Sequence, residues 1–158
     1  METVSKLSFL TKTKGYISLL KLRLSSLVVM SAFFGYLLAG GNLSSIVFFE
    51  LIIGGILITG SSNGFNQIIE HKTDELMSRT FSRPLPSKVL SIAEALIFCI
   101  LTGSIGLYLL ASINFSSFIL GLLAMVIYTV IYTPLKKITP FAVFIGAIPG
   151  SIPPLLGY

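Results

Sequence analysis

Long apolar runs alternate with short polar breaks along most of the chain. The apolar stretches predict membrane-spanning helices over about residues 22–39, 46–69, 89–110, 115–132 and 140–158, each close to the roughly 20 residues a bilayer core requires. Ahead of them, residues 1–20 are polar and basic, with Phe9, Leu10, Tyr16, Ile17, Leu19 and Leu20 interspersed, the make-up of a segment lying at a membrane interface. Gly40-Gly41-Asn42 predicts a tight turn after the first span, with Ser44 or Ser45 capping the second. The fold class expected is all-α, a multi-pass transmembrane helical bundle of about five spans.

The pattern is broken most strongly over residues 63–86, where a polar stretch follows the second apolar run. Asn66, Glu70 and Asp74 are spaced four apart, so a helix carrying them stacks an amide and two carboxylates on one face, with Asn63 a turn earlier. Like charges at that spacing repel, and carboxylates near a helix C-terminus meet the negative end of its dipole, so the face calls for a positive partner. A hard cation such as Mg2+ takes oxygen ligands and commonly bridges carboxylates to substrate phosphates. Arg79 and Arg83 add fork-shaped donors suited to phosphate, and Pro84 and Pro86 stiffen the segment presenting them. From spacing alone, a diphosphate site and a solvated loop of mixed charge both remain open.

Composition places these elements in a membrane. Of the 158 residues, 54% are hydrophobic and 11% charged, and the mean hydropathy is +0.93, which leaves no room for a soluble domain beside the spans. The net charge of +5 raises nucleic acid as a partner, but its placement argues against one. Lys6, Lys12, Lys14, Lys21 and Arg23 lie at or before the start of the first span. Lys72, Arg79, Arg83 and Lys88 lie between the second and third spans, and Lys136 and Lys137 between the fourth and fifth. The alternate connections carry no Lys or Arg, so the positive-inside rule predicts a cytoplasmic N-terminus and a cytoplasmic acidic stretch. No removable signal peptide is expected. Cys99, the single cysteine, reads as a buried structural thiol. Glu94, one turn inside the third span, is expected to pair with Lys88 or Arg83. Tyr128 and Tyr132 read as an aromatic belt.

The run Asn66-x-x-x-Glu70-x-x-x-Asp74, followed by Leu76-Met77-x-Arg79-Thr80-x-x-Arg83-Pro84-Leu85-Pro86, resembles the first acidic motif of the UbiA-type intramembrane prenyltransferases. Gln67 beside Asn66, and Glu at position 70, are similar to the heme O synthase branch. Tyr132-Thr133-Pro134-Leu135-Lys136 resembles a second family segment, in which tyrosine and lysine lie near the prenyl diphosphate. Gly146-Ala147-x-Pro149-Gly150-x-x-Pro153-Pro154 resembles a third. The branch usually has Lys-Pro-Arg where this chain has Lys21-Leu22-Arg23, which keeps both charges and lacks the proline. It often has a further Asp where this chain has Lys72, about 200 degrees around the helix from Glu70.

The resemblance implies a nine-helix bundle, of which this chain is an N-terminal portion, with a second acidic motif supplied by a later segment or by another chain. It implies transfer of a farnesyl group from farnesyl diphosphate to heme B, giving heme O, with Mg2+ as cofactor. Asn66, Glu70 and Asp74 are then the catalytic and metal-holding residues, with Mg2+ held through the diphosphate. Arg79, Arg83, Tyr132 and Lys136 bind the diphosphate, and Asn63, Lys21 and Arg23 are further candidates. The implied setting is the bacterial inner membrane, or the mitochondrial inner membrane in a eukaryote, with membrane lipid, heme A synthase or a terminal oxidase assembly as partners. Two alternatives are prenyl transfer to an aromatic or quinone precursor, and an inactive fragment or non-enzymatic membrane subunit.

Overall fold

The computed structural model describes the backbone of residues 2–158 and the side chains of residues 9–158; the side chains of residues 1–8, Lys6 among them, lie outside the described residues. The helices are α1 (Glu2–Leu20), α2 (Leu22–Leu38), α3 (Ile46–Glu75), α4 (Ile92–Ile113) and α5 (Phe115–Val126). A π-helical stretch, Ile127–Tyr132, and a single turn, α6 (Thr133–Leu135), continue α5, and α7 (Ala142–Gly157) follows. No strand occurs among the described residues. Among the described residues, four rods are long and apolar enough to cross a membrane, Phe9–Leu38, Ile46–Glu75, Ile92–Ile113 and Phe115–Leu135, and they make the chain an integral membrane protein.

Three departures from the sequence pattern shape the site. The fifth expected span is the 16-residue α7, about 24 Å long and therefore shorter than a hydrocarbon core of roughly 30 Å. The 30-residue α3, about 45 Å long, continues beyond the expected end at residue 69, because no Gly or Pro stops it before Glu75. The basic lead is helical and joins α2 through one residue, Lys21, whose φ of 45° and ψ of 53° are left-handed. In that conformation Cβ crowds the carbonyl, at a cost of about 1–2 kcal/mol for a residue other than Gly.

Polar side chains define the helix starts. Ser45 accepts from the Phe48 amide at 3.2 Å, Ser91 and Glu94 form a reciprocal capping box, and Asn114 accepts from the Ser117 amide at 2.7 Å. Glu94 pairs with Lys12 on α1 at 2.5 Å rather than with Lys88 or Arg83. That contact joins residues 82 apart in sequence, so local spacing could not reveal it.

In lipid, helices associate by close packing of small residues rather than by excluding water from apolar ones. The central α3 packs along α4 in this way. A Cβ on Gly106 would sit 3.0 Å from the Gly54 carbonyl oxygen, and one on Gly64 only 2.3 Å from Cys99 Sγ. Between these points the Ser61 hydroxyl donates to the Cys99 carbonyl at 2.7 Å. On the other flank α2 meets α7 so closely that a Cβ on Gly35 would lie 2.3 Å from the Pro154 carbonyl oxygen. These contacts fix α3 against its neighbours and set where its polar end lies.

Candidate diphosphate site at the end of α3

The last turns of α3 present Asn66, Glu70 and Asp74 on one face, and side chains from two other segments meet them. Asn66 and Asp74 are buried, and the Glu70 side chain is 13% exposed. Lys136 donates to Asn66 Oδ1 at 2.9 Å and to Glu70 Oε2 at 3.1 Å. Arg83 donates to Asp74 Oδ2 at 2.6 Å. The repulsion inherent in the acidic spacing is thus offset by one cation per carboxylate.

Both cations are held by their own surroundings. Thr80, itself buried, donates to the Asp74 carbonyl at 3.0 Å and ties the turn after α3 back onto the helix end. That turn returns Arg83 to Asp74. On the other side, Pro134 lacks an amide hydrogen and its ring clashes with the carbonyl four residues back, which accounts for the widened turn ahead of it. The Thr133 amide bonds to the Tyr128 carbonyl five residues back, and the Thr133 hydroxyl donates to the same oxygen at 2.8 Å and lies 3.1 Å from Asn66 Oδ1. Tyr128 and Tyr132 stack at 5.3 Å, and the Lys136 ammonium lies 5.4 Å from the Tyr132 ring centroid.

Lys21 adds a third cation. Half-buried, it stands within electrostatic reach of Arg83, Lys136, Asp74 and Glu70, and it forms no ion pair among the described residues. Each carboxylate is paired with one cation, and Lys21 adds a further positive charge within electrostatic reach, an excess suited to an anion.

The remaining candidates lie elsewhere. Arg79 and Arg23 are exposed, and neither is bonded to the acidic face. Asn63 turns toward α2, with its amide 3.5 Å from the Ser25 hydroxyl. His71 bonds through Nδ1 to the Ile68 carbonyl of its own helix, and Lys72 is exposed. No group of three or more His, Cys, Asp and Glu is placed to hold a metal ion among the described residues.

Below the polar cluster an apolar cavity of about 240 Å³ opens between α2, α3, α5 and α7. Val29, Ala32, Ile58, Gly121, Gly150 and Leu156 are among its walls, and Asn63 and Tyr128 line it as well. Sequence spacing identified the acidic face, but it did not single out Thr80, Thr133 or Gln67. Thr80, Thr133 and Gln67 stand inside the motifs that carry the resemblance, but what each bonds to, and the full burial of Gln67 and Thr133, is visible only in the fold.

Residues 28–158 match the UbiA prenyltransferase family. Among curated proteins, the chain is 43% identical to the protoheme IX farnesyltransferase of Cytophaga hutchinsonii, over 92% of this chain and 51% of that one. It is 42% identical to the protoheme IX farnesyltransferase of Christiangramia forsetii, over 87% and 46% respectively. It is 41% identical to the mitochondrial protoheme IX farnesyltransferase of Arabidopsis thaliana, over 90% of this chain and 34% of the relative. The chain thus spans about half the length or less of these relatives. No solved structure matches it significantly. With the family match covering most of its length and the acidic end of α3 at its polar centre, the chain belongs to the UbiA prenyltransferase family.

Proposed function

We propose that this chain forms the donor-binding part of an enzyme that transfers a farnesyl group from farnesyl diphosphate to heme B, giving heme O. The observation that carries this is the excess of cations, Lys21, Arg83 and Lys136 around Glu70 and Asp74, beside an apolar cavity. A diphosphate supplies the matching negative charge, and an isoprenoid chain suits the cavity wall. The names of the relatives favour heme B as acceptor over an aromatic or quinone precursor.

The donor set fits a hard cation shared with diphosphate, since Asn66, Glu70 and Asp74 offer only oxygen ligands at one-turn intervals. Mg2+ held there through the diphosphate would neutralise charge on the departing group. Lys136 and Arg83 shift their donors from carboxylate to phosphate oxygens as the donor binds, and Tyr132 keeps the Lys136 ammonium over its ring. Arg79 and Arg23, both exposed, add positive charge at longer range. The allylic carbon–oxygen bond breaks and the diphosphate leaves with the electron pair. The acceptor vinyl group bonds to the freed carbon, and water then supplies the hydroxyl and releases a proton. The apolar walls keep water from the allylic cation until that bond has formed.

The Lys and Arg distribution favours a cytoplasmic N-terminus and a cytoplasmic site, in the bacterial inner membrane or its mitochondrial counterpart. The donor site so assigned calls for a second acidic motif beside it, as the resemblance implies. The deciding experiment measures heme O by mass spectrometry in membranes of cells lacking their own farnesyltransferase. The chain is expressed alone and together with the complementary half of a relative. Heme O in either case supports the proposal, and heme B without heme O in both overturns it.

A further inference from the structure

The rod Phe9–Leu38 is continuous except at Lys21, and no Gly or Pro near that residue explains the break. The left-handed conformation is unfavourable for lysine, so contacts from outside the residue must hold it. An uninterrupted helix would bond the carbonyls of Ser18, Leu19 and Leu20 to amides four residues on. Here the Lys21 amide takes Ser18 at 3.2 Å, the Gln67 side-chain amide takes Leu19 at 3.1 Å and the Ser25 hydroxyl takes Leu20 at 2.8 Å. The Leu24 amide turns to the Lys21 carbonyl instead, at 2.8 Å. Gln67 and Leu19 are both fully buried, so water cannot replace their bond.

The partners of the break share one face of α3. Gly60 lies so close to Leu20 that a Cβ there would come within 2.8 Å of Leu20 Cδ2, Asn63 reaches Ser25, and Gln67 reaches Leu19. Positions 60, 63 and 67 follow helical spacing, and the adjoining face carries Asn66, Glu70 and Asp74. We propose that Gln67 is a positioning residue for anion binding: by holding the carbonyl end of α1, it fixes Lys21 in the conformation that brings its ammonium to the acidic face. This rests on the proposal that the face takes diphosphate. One helix thereby sets both the carboxylates and a cation delivered from another segment.

Two measurements on the purified full chain separate this role from general support of the fold. Acylation of lysines by an N-hydroxysuccinimide ester, followed by mass spectrometry, reads the exposure of the Lys21 ammonium. Gln67→Met, which keeps the volume and removes the donor, is expected to raise the Lys21 rate several-fold while Lys137 stays unchanged. Ser25→Ala, acting on the neighbouring carbonyl, is expected to move Lys21 the same way. Calorimetric titration with magnesium pyrophosphate gives the second readout. Gln67→Met is expected to weaken binding in the unaltered chain and to add nothing in a Lys21→Ala background. An unchanged Lys21 rate, or losses that multiply in the double variant, overturns the assignment. If pyrophosphate fails to bind the unaltered chain, the diphosphate proposal fails, and the acylation rates still decide whether Gln67 holds Lys21.

Discussion

The Lys136 ammonium reaches across 70 residues of sequence to donate to the Asn66 side-chain oxygen at 2.9 Å. The same ammonium touches Glu70. A single lysine thus bridges the amide and the first carboxylate of the α3 face from the turn that follows α6.

Lys136→Ala removes this charge-assisted pair of contacts and the proposed partner of the departing phosphate. A bond to a charged group contributes about 1.5–3 kcal/mol, so transfer should fall about 10- to 100-fold, with a matching loss of diphosphate affinity. Steady-state kinetics of the enzyme containing this chain, with farnesyl diphosphate varied, checks both. An unchanged KM for the donor would remove Lys136 from diphosphate binding.

Asp74→Asn keeps the volume and removes the charge that Arg83 faces at 2.6 Å. Farnesyl transfer should drop by about 100-fold or more, because an electrostatic element of the proposed diphosphate site is lost. Insertion into the membrane should be unchanged, as read by fractionation. Lys72→Ala, on an exposed position outside the cluster, serves as the comparison and should retain nearly full turnover.

Gly150 lines the cavity, and a Cβ built on it meets nothing within 4 Å. Gly150→Leu should therefore fold as well as the unaltered chain while filling space proposed for the isoprenoid. The expected result is loss of farnesyl transfer with geranyl diphosphate still accepted, measured by competition between the two donors. Equal use of both would place the prenyl chain elsewhere.

Gly35→Ala tests packing alone. Its new methyl group would come 2.3 Å from the Pro154 carbonyl oxygen, and backbone cannot yield as a side chain can. Destabilisation of about 1–3 kcal/mol is expected, seen as a lower unfolding temperature in detergent. Gly150→Ala, at a position with open space, should show no such shift.

What could be read in advance followed from periodicity. The four-residue spacing of Asn66, Glu70 and Asp74 made one face explicit, and the apolar runs placed the helices to within a few residues. What could not be read depended on contacts between distant segments. Nothing in Ser18-Leu19-Leu20-Lys21 marks a left-handed residue, because the break is held by Gln67 from α3. Lys88 and Arg83 lie nearer to Glu94 in sequence than Lys12 does, yet α1 folds back against α4 and brings Lys12 into contact. Hydropathy alone ended the second span at residue 69, since it marks where lipid ends and not where a helix does, whereas the acidic spacing already pointed to a helix reaching Asp74.

The widened turn Ile127–Tyr132 has a bearing on how this polypeptide tolerates insertion and deletion. In an unbroken α-helix, one surplus residue would rotate everything after it by about 100 degrees. The widened turn takes up that residue, so Thr133 and Lys136 keep their seat opposite Asn66. Losing a single codon within the turn would remove the surplus residue and let the stretch close to an ordinary α-helix with the ammonium still opposite Asn66, whereas losing one between Thr133 and Lys136 would swing it aside by about 100 degrees while leaving every other site side chain chemically intact. Scanning by substitution would miss this dependence, whereas a library of one-residue deletions would expose it.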